Sequence, residues 1–309
     1  MSAQLKVSVS SIYLENIKRR FILGIFFISL FGCLAALADF FLLGITAWKI
    51  GLLLFMLILT GIGITVGFHR YFAHKTFKSI PVIGIILAIL GSMAGQGSVI
   101  SWVSVHRCHH QYSDRPGDPH SPHLHGEGIG GRLKGLWYAH LGWLLDGELP
   151  NSLVFAKDLL QDPIYQKINR LYGIWIILGL ILPAILGGII TWSWLGFLQG
   201  FIWGGMLRLF FSFNSGYIIN SIGHVYGKSL FKNIDQSKNN IWLAILTLGE
   251  GWHNNHHAFP NSAKFGLKWW QIDPGYWVIL TLQAIGLAWD VKHPSLEAIE
   301  FKKLNEISQ

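Results

Sequence analysis

Long uncharged stretches alternate with polar, histidine-rich stretches along the chain, and this alternation indicates where the chain crosses a membrane. A helix needs about 20 predominantly apolar residues to span the hydrocarbon core of a bilayer. Four stretches have about that length, and the last two follow each other closely enough to form a helical hairpin. We therefore predict four transmembrane helices, at about residues 21–43, 50–68, 172–194 and 195–219.

Two shorter apolar stretches are predicted to stay outside the membrane core. Ile80–Leu90 has about 11 residues and Tyr276–Ala288 about 13, and stretches of about 10 to 14 residues are typical of interfacial or buried helices. A crossing at Ile80–Leu90 would also place the histidines before and after it on opposite sides of the membrane. Both stretches are therefore assigned to helices that lie beside the bilayer.

Basic residues at the ends of the predicted spans indicate their orientation. Residues 18–20 are Lys-Arg-Arg and precede the first span, while Lys167 and Arg170 precede the third. Lys and Arg concentrate on the cytoplasmic side of membrane proteins. Segments 69–171 and 220–309 are therefore predicted to form a cytoplasmic helical cap.

The predicted fold is an all-α integral membrane protein, a single domain over residues 1–309, in which four transmembrane helices carry the cytoplasmic cap. Residues 111–135 are predicted to be a loop, because they hold Gly, Pro, Asp and His without periodicity. Arg208, near the middle of the fourth span, is costly to expose to lipid and is predicted to point into the bundle, toward polar groups such as Asn214. Asp39 is expected at the membrane interface.

The composition supports a membrane location. Hydrophobic residues make up 51% of the chain and charged residues 13%, against about 25% charged in soluble domains. A soluble protein with a large core is the alternative, which the long apolar stretches disfavour. The net charge of +8 favours anionic lipid or an acidic protein as a neighbour, whereas nucleic acid is excluded because the basic residues are scattered at helix ends. Cys33 and Cys108 form neither a disulfide framework nor a metal-spaced pair.

Histidine is the unusual residue, because most of the 14 histidines lie in clusters. In two clusters they stand at positions i, i+3 and i+4, which share a face of a helix. His69 and His74, by contrast, are about 140° apart on an ideal helix, so they can share one metal only if the helix ends or loosens between them. The eight clustered residues, all predicted on the cytoplasmic side, are His69, His74, His106, His109, His110, His253, His256 and His257.

Eight imidazoles are more ligands than one metal ion can bind, so two metal ions are predicted. Any single histidine could be a satisfied buried residue, but three clusters favour metal ligation. Nitrogen-rich sites without clustered carboxylates favour iron performing oxygen chemistry over zinc. Glu250 either orients a ligand imidazole or caps a helix, and Cys108 is expected to be a structural thiol. The remaining histidines are assigned to loop or outer positions, and they are His120, His123, His125, His140 and His293.

The motifs His-x4-His, His-x2-His-His and Glu-Gly-x-His-x2-His-His resemble those of the membrane fatty acyl desaturases, specifically the delta-9, stearoyl-type branch. The likeness extends from about Ile50 to Trp289. It implies a ninth histidine ligand within Asn-Ser-x-x-His, here His224, and implies that Asn220 reaches a metal through water. Further matches to the family are Trp102, Asp118-Pro119-His120, Gly142-Trp143 and Phe259-Pro260.

The resemblance implies an oxygen-dependent di-iron enzyme that introduces a cis double bond, at delta-9, into a saturated acyl chain. Two iron ions would be its cofactors, and two electrons per turnover would come from an external donor such as ferredoxin or cytochrome b5. A narrow apolar tunnel would fix which carbons are oxidised. Trp102 and Tyr217 are its expected lining, although each could equally be packing. The active site would face the cytoplasm in a multi-pass protein surrounded by membrane lipid.

The acyl carrier is left open between CoA, a carrier protein and a glycerolipid. Acyl-CoA enzymes of the family resemble one another in a short Arg-rich turn where this chain has Ser121–Gly131, and Gly97–Ser101 lacks charged residues that would meet a CoA headgroup. Two other functions also remain open. One is a related hydroxylase or ketolase. The other is a non-catalytic metal-binding membrane protein or transporter, which would need polar ligands at mid-membrane depth.

Overall fold

The computed structural model describes residues 6–304, which are predominantly helical. The α-helices are α1 (Ile12–Leu43), α2 (Ala47–Ile62), α3 (Pro81–Met93), α4 (Val99–Tyr112), α5 (Gly128–Trp137), α6 (Trp143–Leu145), α7 (Ser152–Phe155), α8 (Lys157–Gln161), α9 (Pro163–Arg170), α10 (Tyr172–Thr191), α11 (Trp194–Gly200), α12 (Arg208–Ser221), α13 (Ile241–Leu246), α14 (His253–Ala258), α15 (Pro274–Ala284) and α16 (Leu296–Leu304). The other elements are π-helical segments Gly63–Ala73, Tyr138–Gly142 and Phe201–Leu207, a 3-10 turn Ile222–His224, and two antiparallel strand pairs, β1 (Ser8–Val9) with β3 (Leu149–Pro150) and β2 (Lys78–Ser79) with β4 (Ala288–Trp289).

Three helices are long and apolar enough to cross a membrane, and they match the first three predicted spans. They are Ile12–Leu43, Ala47–Ala73, which joins α2 to its π-helical continuation, and Tyr172–Thr191. The fourth predicted span, 195–219, is also helical, since Trp194–Ser221 runs through α11, a π segment and α12. It is not among the three, because polar residues lower its hydropathy.

The first helix begins at Ile12, well before the predicted start of the first span. The basic residues that were expected to precede the span therefore lie inside the helix. The Nζ atom of Lys18 donates to the carbonyl oxygens of Trp143 (3.3 Å) and Asp146 (3.0 Å). These contacts tie the extension of α1 to the cap.

A sharp break at Trp192, whose φ is 52°, separates α10 from α11 and forms the expected hairpin. The two helices then pack closely. A Cβ atom on Gly187 would lie 2.3 Å from the carbonyl oxygen of Gly196, and one on Gly200 would lie 2.2 Å from that of Pro183. Glycine is therefore required where these two backbones approach each other.

The short helix α3 lies within the bundle and not beside it. Its 13 residues are about 20 Å long, against a hydrocarbon core of about 30 Å, and that Ile80–Leu90 does not span the membrane stays a prediction. α3 packs against α2 and α10.

Arg208 is fully buried and points into the bundle, as predicted. Its partners are backbone carbonyls rather than the expected Asn214. It donates to the carbonyl oxygens of Met93 (2.6 Å) and Gly179 (2.9 Å). Because Met93 ends α3, the guanidinium also lies at the negative end of that helix dipole, which stabilises the charge.

Asp39 is also buried in the bundle, and its carboxylate has three hydrogen-bond partners. Its carboxylate accepts hydrogen bonds from Lys49 (2.7 Å), Gln199 (2.7 Å) and Trp203 (2.8 Å). The ion pair with Lys49 joins α1 to α2, and the other two bonds join both to the second helix of the hairpin, formed by α11 and the π segment Phe201–Leu207.

The prediction of a loop over residues 111–135 is wrong at both ends, because α4 continues to Tyr112 and α5 begins at Gly128. Within α5, two glycines allow close packing. A Cβ atom on Gly131 would lie 2.2 Å from the carbonyl oxygen of Gly126, and one on Gly135 would lie 1.9 Å from that of Pro122. The content of Gly, Pro, Asp and His therefore predicted the wrong element at these ends.

The largest core lies where the π-helical end of α2 meets α3, α4, α9 and α15. Val66, Phe68, Ala88, Val103 and Ile279 are fully buried in it. This core holds together the ends of α2 and α4, which both carry histidines.

Candidate metal centre

The helix loosens between His69 and His74, which the sequence required if the two were to meet. From Gly63 to Ala73 it is π-helical, so its hydrogen bonds run between residues five apart. The amide of His74 donates to the carbonyl oxygen of His69 (3.1 Å), and the two rings have centroids 5.0 Å apart. The π geometry places both imidazoles on one face.

Helices α4 and α14 each divide their three histidines between two groups. In α4 the residues at i and i+4, His106 and His110, belong to one group, and the residue at i+3, His109, belongs to the other. In α14 the assignment is reversed, because the residue at i+3, His256, belongs to the group of His106 and His110. The single face expected from the sequence is therefore split between two neighbouring groups. The five-histidine group is His69, His74, His106, His110 and His256, and the four-histidine group is His109, His224, His253 and His257.

The ring nitrogens of each group converge. One ligand atom from every member lies within 4.8 Å of those of the others. The shortest separations join Nε2 atoms, which are His69–His256 (2.9 Å), His110–His256 (2.9 Å), His74–His106 (2.8 Å) and His224–His253 (2.9 Å).

These separations fit metal ligation. Two imidazole nitrogens that bind one ion at right angles, each at about 2.1 Å, are about 3.0 Å apart. In addition, the buried Nε2 atoms of His109 and His257 have no hydrogen-bond partner within residues 6–304, although buried polar atoms nearly always have one. A cation in the four-histidine group, to which both belong, would satisfy these atoms.

Six of the nine imidazoles are held in the neutral form that binds metals. Burial lowers the pKa of His257 to about 4, although Asp235 opposes the shift. For five other members burial, together with neighbouring imidazoles, lowers the pKa well below the ordinary value. These are His74, His106, His110, His253 and His256.

Four carboxylates contact the outer ring nitrogens of the histidines. An ionised carboxylate only accepts hydrogen bonds, so Nδ1 carries the proton and the Nε2 lone pair points into the group. Although burial opposes it, the histidine partners lower the pKa of Asp114, Asp118 and Asp235. The pairs are Asp118–His109 (3.0 Å), Asp114–His224 (2.9 Å), Asp235–His257 (2.9 Å) and Glu250–His69.

Glu250 orients an imidazole, which was one of the two roles considered for it. It contacts Nδ1 of His69 and accepts a hydrogen bond from Arg70 (2.8 Å). Arg70 is fully buried, also donates to Asp273 (2.8 Å), and lies 3.7 Å from the ring centroid of Phe265. Sequence reasoning missed this chain of charges, whose one visible signal was an arginine directly after a motif histidine.

Asn220, Trp102 and Tyr217 lie on elements that carry the centre, and their functional roles remain predictions. Asn220 is half-buried near the end of α12. The ring of Trp102 stacks on His106, with centroids 4.9 Å apart and planes 17° apart. Tyr217 is buried against Trp143, at 5.7 Å between ring centroids.

The histidines assigned to outer positions stay outside both groups. His120 stacks on His109 with centroids 4.4 Å apart, and Nε2 of His123 donates to the carbonyl oxygen of His224 (3.0 Å). Cys108 is buried, and its thiol contacts a backbone carbonyl at 3.6 Å. These residues pack around the centre and contribute no atom to either group.

Comparison with known proteins identifies relatives over most of the chain. The sequence profile of the fatty acid desaturase family matches residues 45–284. The chain is 52% identical over 299 residues to a hex-5-enoyl-[acyl-carrier protein] acetylenase from Moorena producens (strain JHB), covering 96% of this chain and 93% of the relative. It is 39% identical to an sn-1 stearoyl-lipid 9-desaturase from Synechocystis sp. (89% and 80% covered) and 38% identical to an icosanoyl-CoA 5-desaturase from Limnanthes douglasii (85% and 69% covered).

Proposed function

The chain belongs to the fatty acid desaturase family and is an oxidoreductase that acts on fatty acyl chains, and we propose that it is an oxygen-dependent di-iron desaturase of the membrane. The observation that carries the proposal is the pair of adjoining histidine groups whose ring nitrogens converge. In the reaction, adjacent carbons of the acyl chain each lose one hydrogen. With two electrons and two protons from outside, one O2 becomes two molecules of water.

Iron in both groups accounts best for the donor set. The candidate ligands are imidazoles, and the carboxylates stand behind them, unlike soluble di-iron bundles in which Glu residues bind the metal. Bound iron would supply the oxygen activation that an unactivated C–H bond requires. The nine histidines would hold two ions, and Asn220, through water, would complete the four-histidine group, which has one ligand fewer.

The surrounding residues would position the acyl chain and exclude water. Trp102 is the better supported of the two expected lining residues, because it stacks on His106 and also contacts Phe68, with ring centroids 5.8 Å apart. An indole in this position blocks water from one side of the five-histidine group. A chain held against it would present a fixed methylene pair. Tyr217 is proposed to line the same path further along.

We also propose four membrane spans, with the centre on the cytoplasmic side. Trp194–Ser221 would be the fourth span, and the backbone partners of Arg208 reduce the cost of placing its charge at membrane depth. His69 and His224 lie at helix ends that meet in one centre. Basic residues at the start of the third span favour the cytoplasmic side for this end.

The bond formed and the acyl carrier are argued from the relatives. The relative whose name specifies a chain on acyl carrier protein has the higher identity, 52% against 39% and 38%. Gly97–Ser101 also has no charged residue to meet a CoA headgroup. We therefore place a carrier-protein-bound chain ahead of CoA and glycerolipid. The resemblance of the histidine motifs to the delta-9 branch and the two 39% identical 9-desaturases make a cis double bond at delta-9 of a saturated chain the first candidate product. The 52% identical acetylenase makes a triple bond from an existing double bond the second.

Product analysis with purified protein tests this proposal. The iron-loaded protein in lipid nanodiscs is given oxygen, a reducing system and one substrate at a time, namely stearoyl carrier protein, stearoyl-CoA, a stearoyl glycerolipid or hex-5-enoyl carrier protein. Mass spectrometry is expected to show loss of two hydrogens, and the double variant His253→Ala/His256→Ala serves as the inactive control. Inserted oxygen would identify a hydroxylase or ketolase instead. No oxygen consumption, with zinc in place of iron, would contradict the proposal.

A further inference from the structure

The two histidine groups stand in different electrostatic surroundings. Behind the four-histidine group lie three carboxylates, and each accepts a hydrogen bond from the Nδ1 atom of a different member. Each carboxylate is therefore separated by a single imidazole ring from the point where the other ring nitrogens converge. An ion in this group would have three negative charges around it. The pairs are Asp118–His109 (3.0 Å), Asp114–His224 (2.9 Å) and Asp235–His257 (2.9 Å).

No close cation neutralises these three carboxylates. Among the residues that the structure describes, no Lys or Arg nitrogen lies within 4.0 Å of their oxygens. Their further hydrogen-bond donors are uncharged, and the backbone amide of Asp114, for example, donates to Asp118 (2.8 Å). Arg115 and Lys232 line the same surface cleft as Asp235, but both are exposed, so water and salt screen their charges.

The five-histidine group has a chain of alternating charges behind it instead. Glu250 contacts Nδ1 of His69 and accepts a hydrogen bond from Arg70 (2.8 Å), which also donates to Asp273 (2.8 Å). The cation thus lies between two carboxylates, and only one of these contacts a histidine of the centre. This chain of charges leaves one negative charge in total.

Further cations lie behind His74, another member of the five-histidine group. Arg107 donates to the carbonyl oxygen of the residue before His74 (2.9 Å) and forms an ion pair with Asp158 (2.8 Å). Lys75, directly after His74, pairs with the same carboxylate (2.6 Å). These two cations and one carboxylate leave one positive charge, which offsets the negative charge left by the chain that begins at Glu250. The formal charges on this side of the centre therefore cancel.

Such charges act on the oxidation state of a bound ion. Ferric iron carries one positive charge more than ferrous iron, so nearby negative charge stabilises the ferric form more strongly. A carboxylate that is hydrogen-bonded to a ligand imidazole also raises its basicity, and hydrogen bonding and burial are two of the means by which a protein sets a reduction potential. Three of the four members of the four-histidine group are buried, against two of the five in the other group. Water therefore screens the three aspartates less.

We propose that the two groups hold their ions at different reduction potentials, because the three aspartates stabilise the ferric form in the four-histidine group and Arg70 makes the ion in the five-histidine group easier to reduce. The inference rests on the proposed presence of iron in both groups. Each ion takes up one electron when it passes from ferric to ferrous, and both electrons come from outside the chain. The first electron stays in the five-histidine group, and the ion in the four-histidine group is the last to be reduced.

A redox titration of the whole protein tests the proposal without substrate or oxygen. The protein in lipid nanodiscs is loaded with iron, and Mössbauer spectroscopy measures the ferrous fraction at a series of fixed potentials. We expect two one-electron steps, separated by at least about tenfold in the ratio of oxidised to reduced ion, or about 59 mV. A single unresolved step in a protein that holds two irons would overturn the proposal.

Removing one aspartate assigns the lower step. Asp235→Asn keeps the size of the side chain and removes the charge behind His257, so it should raise the lower step by at least about tenfold in the same ratio and move the upper step less. Excess iron compensates for weaker binding. Asp290→Asn, which removes the same charge from an exposed pair with Lys78, should leave both steps in place. A larger shift of the upper step, equal shifts in both variants, or no shift would contradict the proposal.

The cation of the five-histidine group should give the opposite result. Arg70→Gln is expected to lower the upper step, and Arg70→Lys, which keeps the charge, should restore it at least in part. Because Arg70 is fully buried, thermal unfolding and iron content are measured for both variants. An unchanged upper step in the folded, iron-loaded Arg70→Gln protein would overturn the role of this cation. If that variant does not fold or bind iron, the aspartate variant decides the proposal.

The titration separates this inference from the proposed function. Two steps that respond as described support the inference even if no desaturation is found. Two irons with equal potentials would contradict the inference and leave the proposed desaturase activity intact. A protein that binds no iron would contradict both.

Discussion

The two histidine groups lie side by side but are held in different ways. His110 and His257, which belong to different groups, stack with centroids 4.4 Å apart. The five-histidine group has one carboxylate behind it, Glu250, and Arg70 neutralises that carboxylate in part. The four-histidine group has one histidine fewer and three ionised aspartates behind it. The difference indicates that one group relies on the number of its donors and the other on negative charge.

This contrast has a physical basis. A carboxylate that accepts the Nδ1 proton makes the opposite ring nitrogen more basic, and it fixes the orientation of the ring. Three such pairs can offset a missing imidazole. The five-histidine group instead depends on the backbone that presents it, because two of its members need the π-helical segment 63–73.

Removing one histidine from each group should give the largest effect. His253→Ala is expected to lower the iron content of the four-histidine group, and His256→Ala that of the five-histidine group, where it adjoins His69 and His110. Activity should fall by roughly 100-fold or more in both, since removing only the outer partner of a ligand costs about 10- to 100-fold. Iron per chain is measured by elemental analysis. An active variant with full iron content would contradict the assignment of that histidine.

Neutralising the carboxylates should give a smaller effect that separates the two groups. Asp118→Asn and Asp235→Asn are each expected to weaken iron binding about 10- to 100-fold, because an amide no longer stabilises the charge that develops on the imidazole. Only one of the two iron ions, the one in the four-histidine group, should bind more weakly. Asp290→Asn, at an exposed ion pair with Lys78, is the matched control. Loss of both ions in parallel would show that the groups do not bind independently.

The histidines that converge in the two groups were predictable from sequence, because the spacing His-x2-His-His places imidazoles close together on any helix. Their role as metal ligands stays a prediction. The fatty acid desaturase resemblance, drawn from these motifs, is confirmed. The prediction of two metals also started from them. What spacing did not reveal was the division of each triplet between two groups, since that depends on how α4 and α14 cross.

Most of the carboxylates that contact the histidines and Arg70 could not be identified from the sequence. Asp114, Asp235 and Asp273 stand far from their partners along the chain, and only the folded backbone brings them together. Asp118 was noted as part of a family match but not as a partner of His109. The π-helix was foreseen only as a condition on His69 and His74, because no residue pattern distinguishes it from an α-helix.

A packing change at the π segment should give the smallest effect, confined at first to the five-histidine group. A Cβ atom on Gly63 would lie 2.1 Å from the backbone nitrogen of Gly91, so Gly63→Ala must push α2 and α3 apart. We expect a cost of about 1–3 kcal/mol in the free energy of unfolding and a loss of activity smaller than that of the carboxylate variants. Gly51→Ala lies on the same helix with no heavy atom within 4 Å, and is expected to be neutral or to stabilise by up to about 1 kcal/mol. Thermal unfolding and iron content are measured for both variants. If they behave alike, contact with α3 does not hold the π segment, and the geometry that brings His69 to His74 must be maintained by Arg70 and its partners instead.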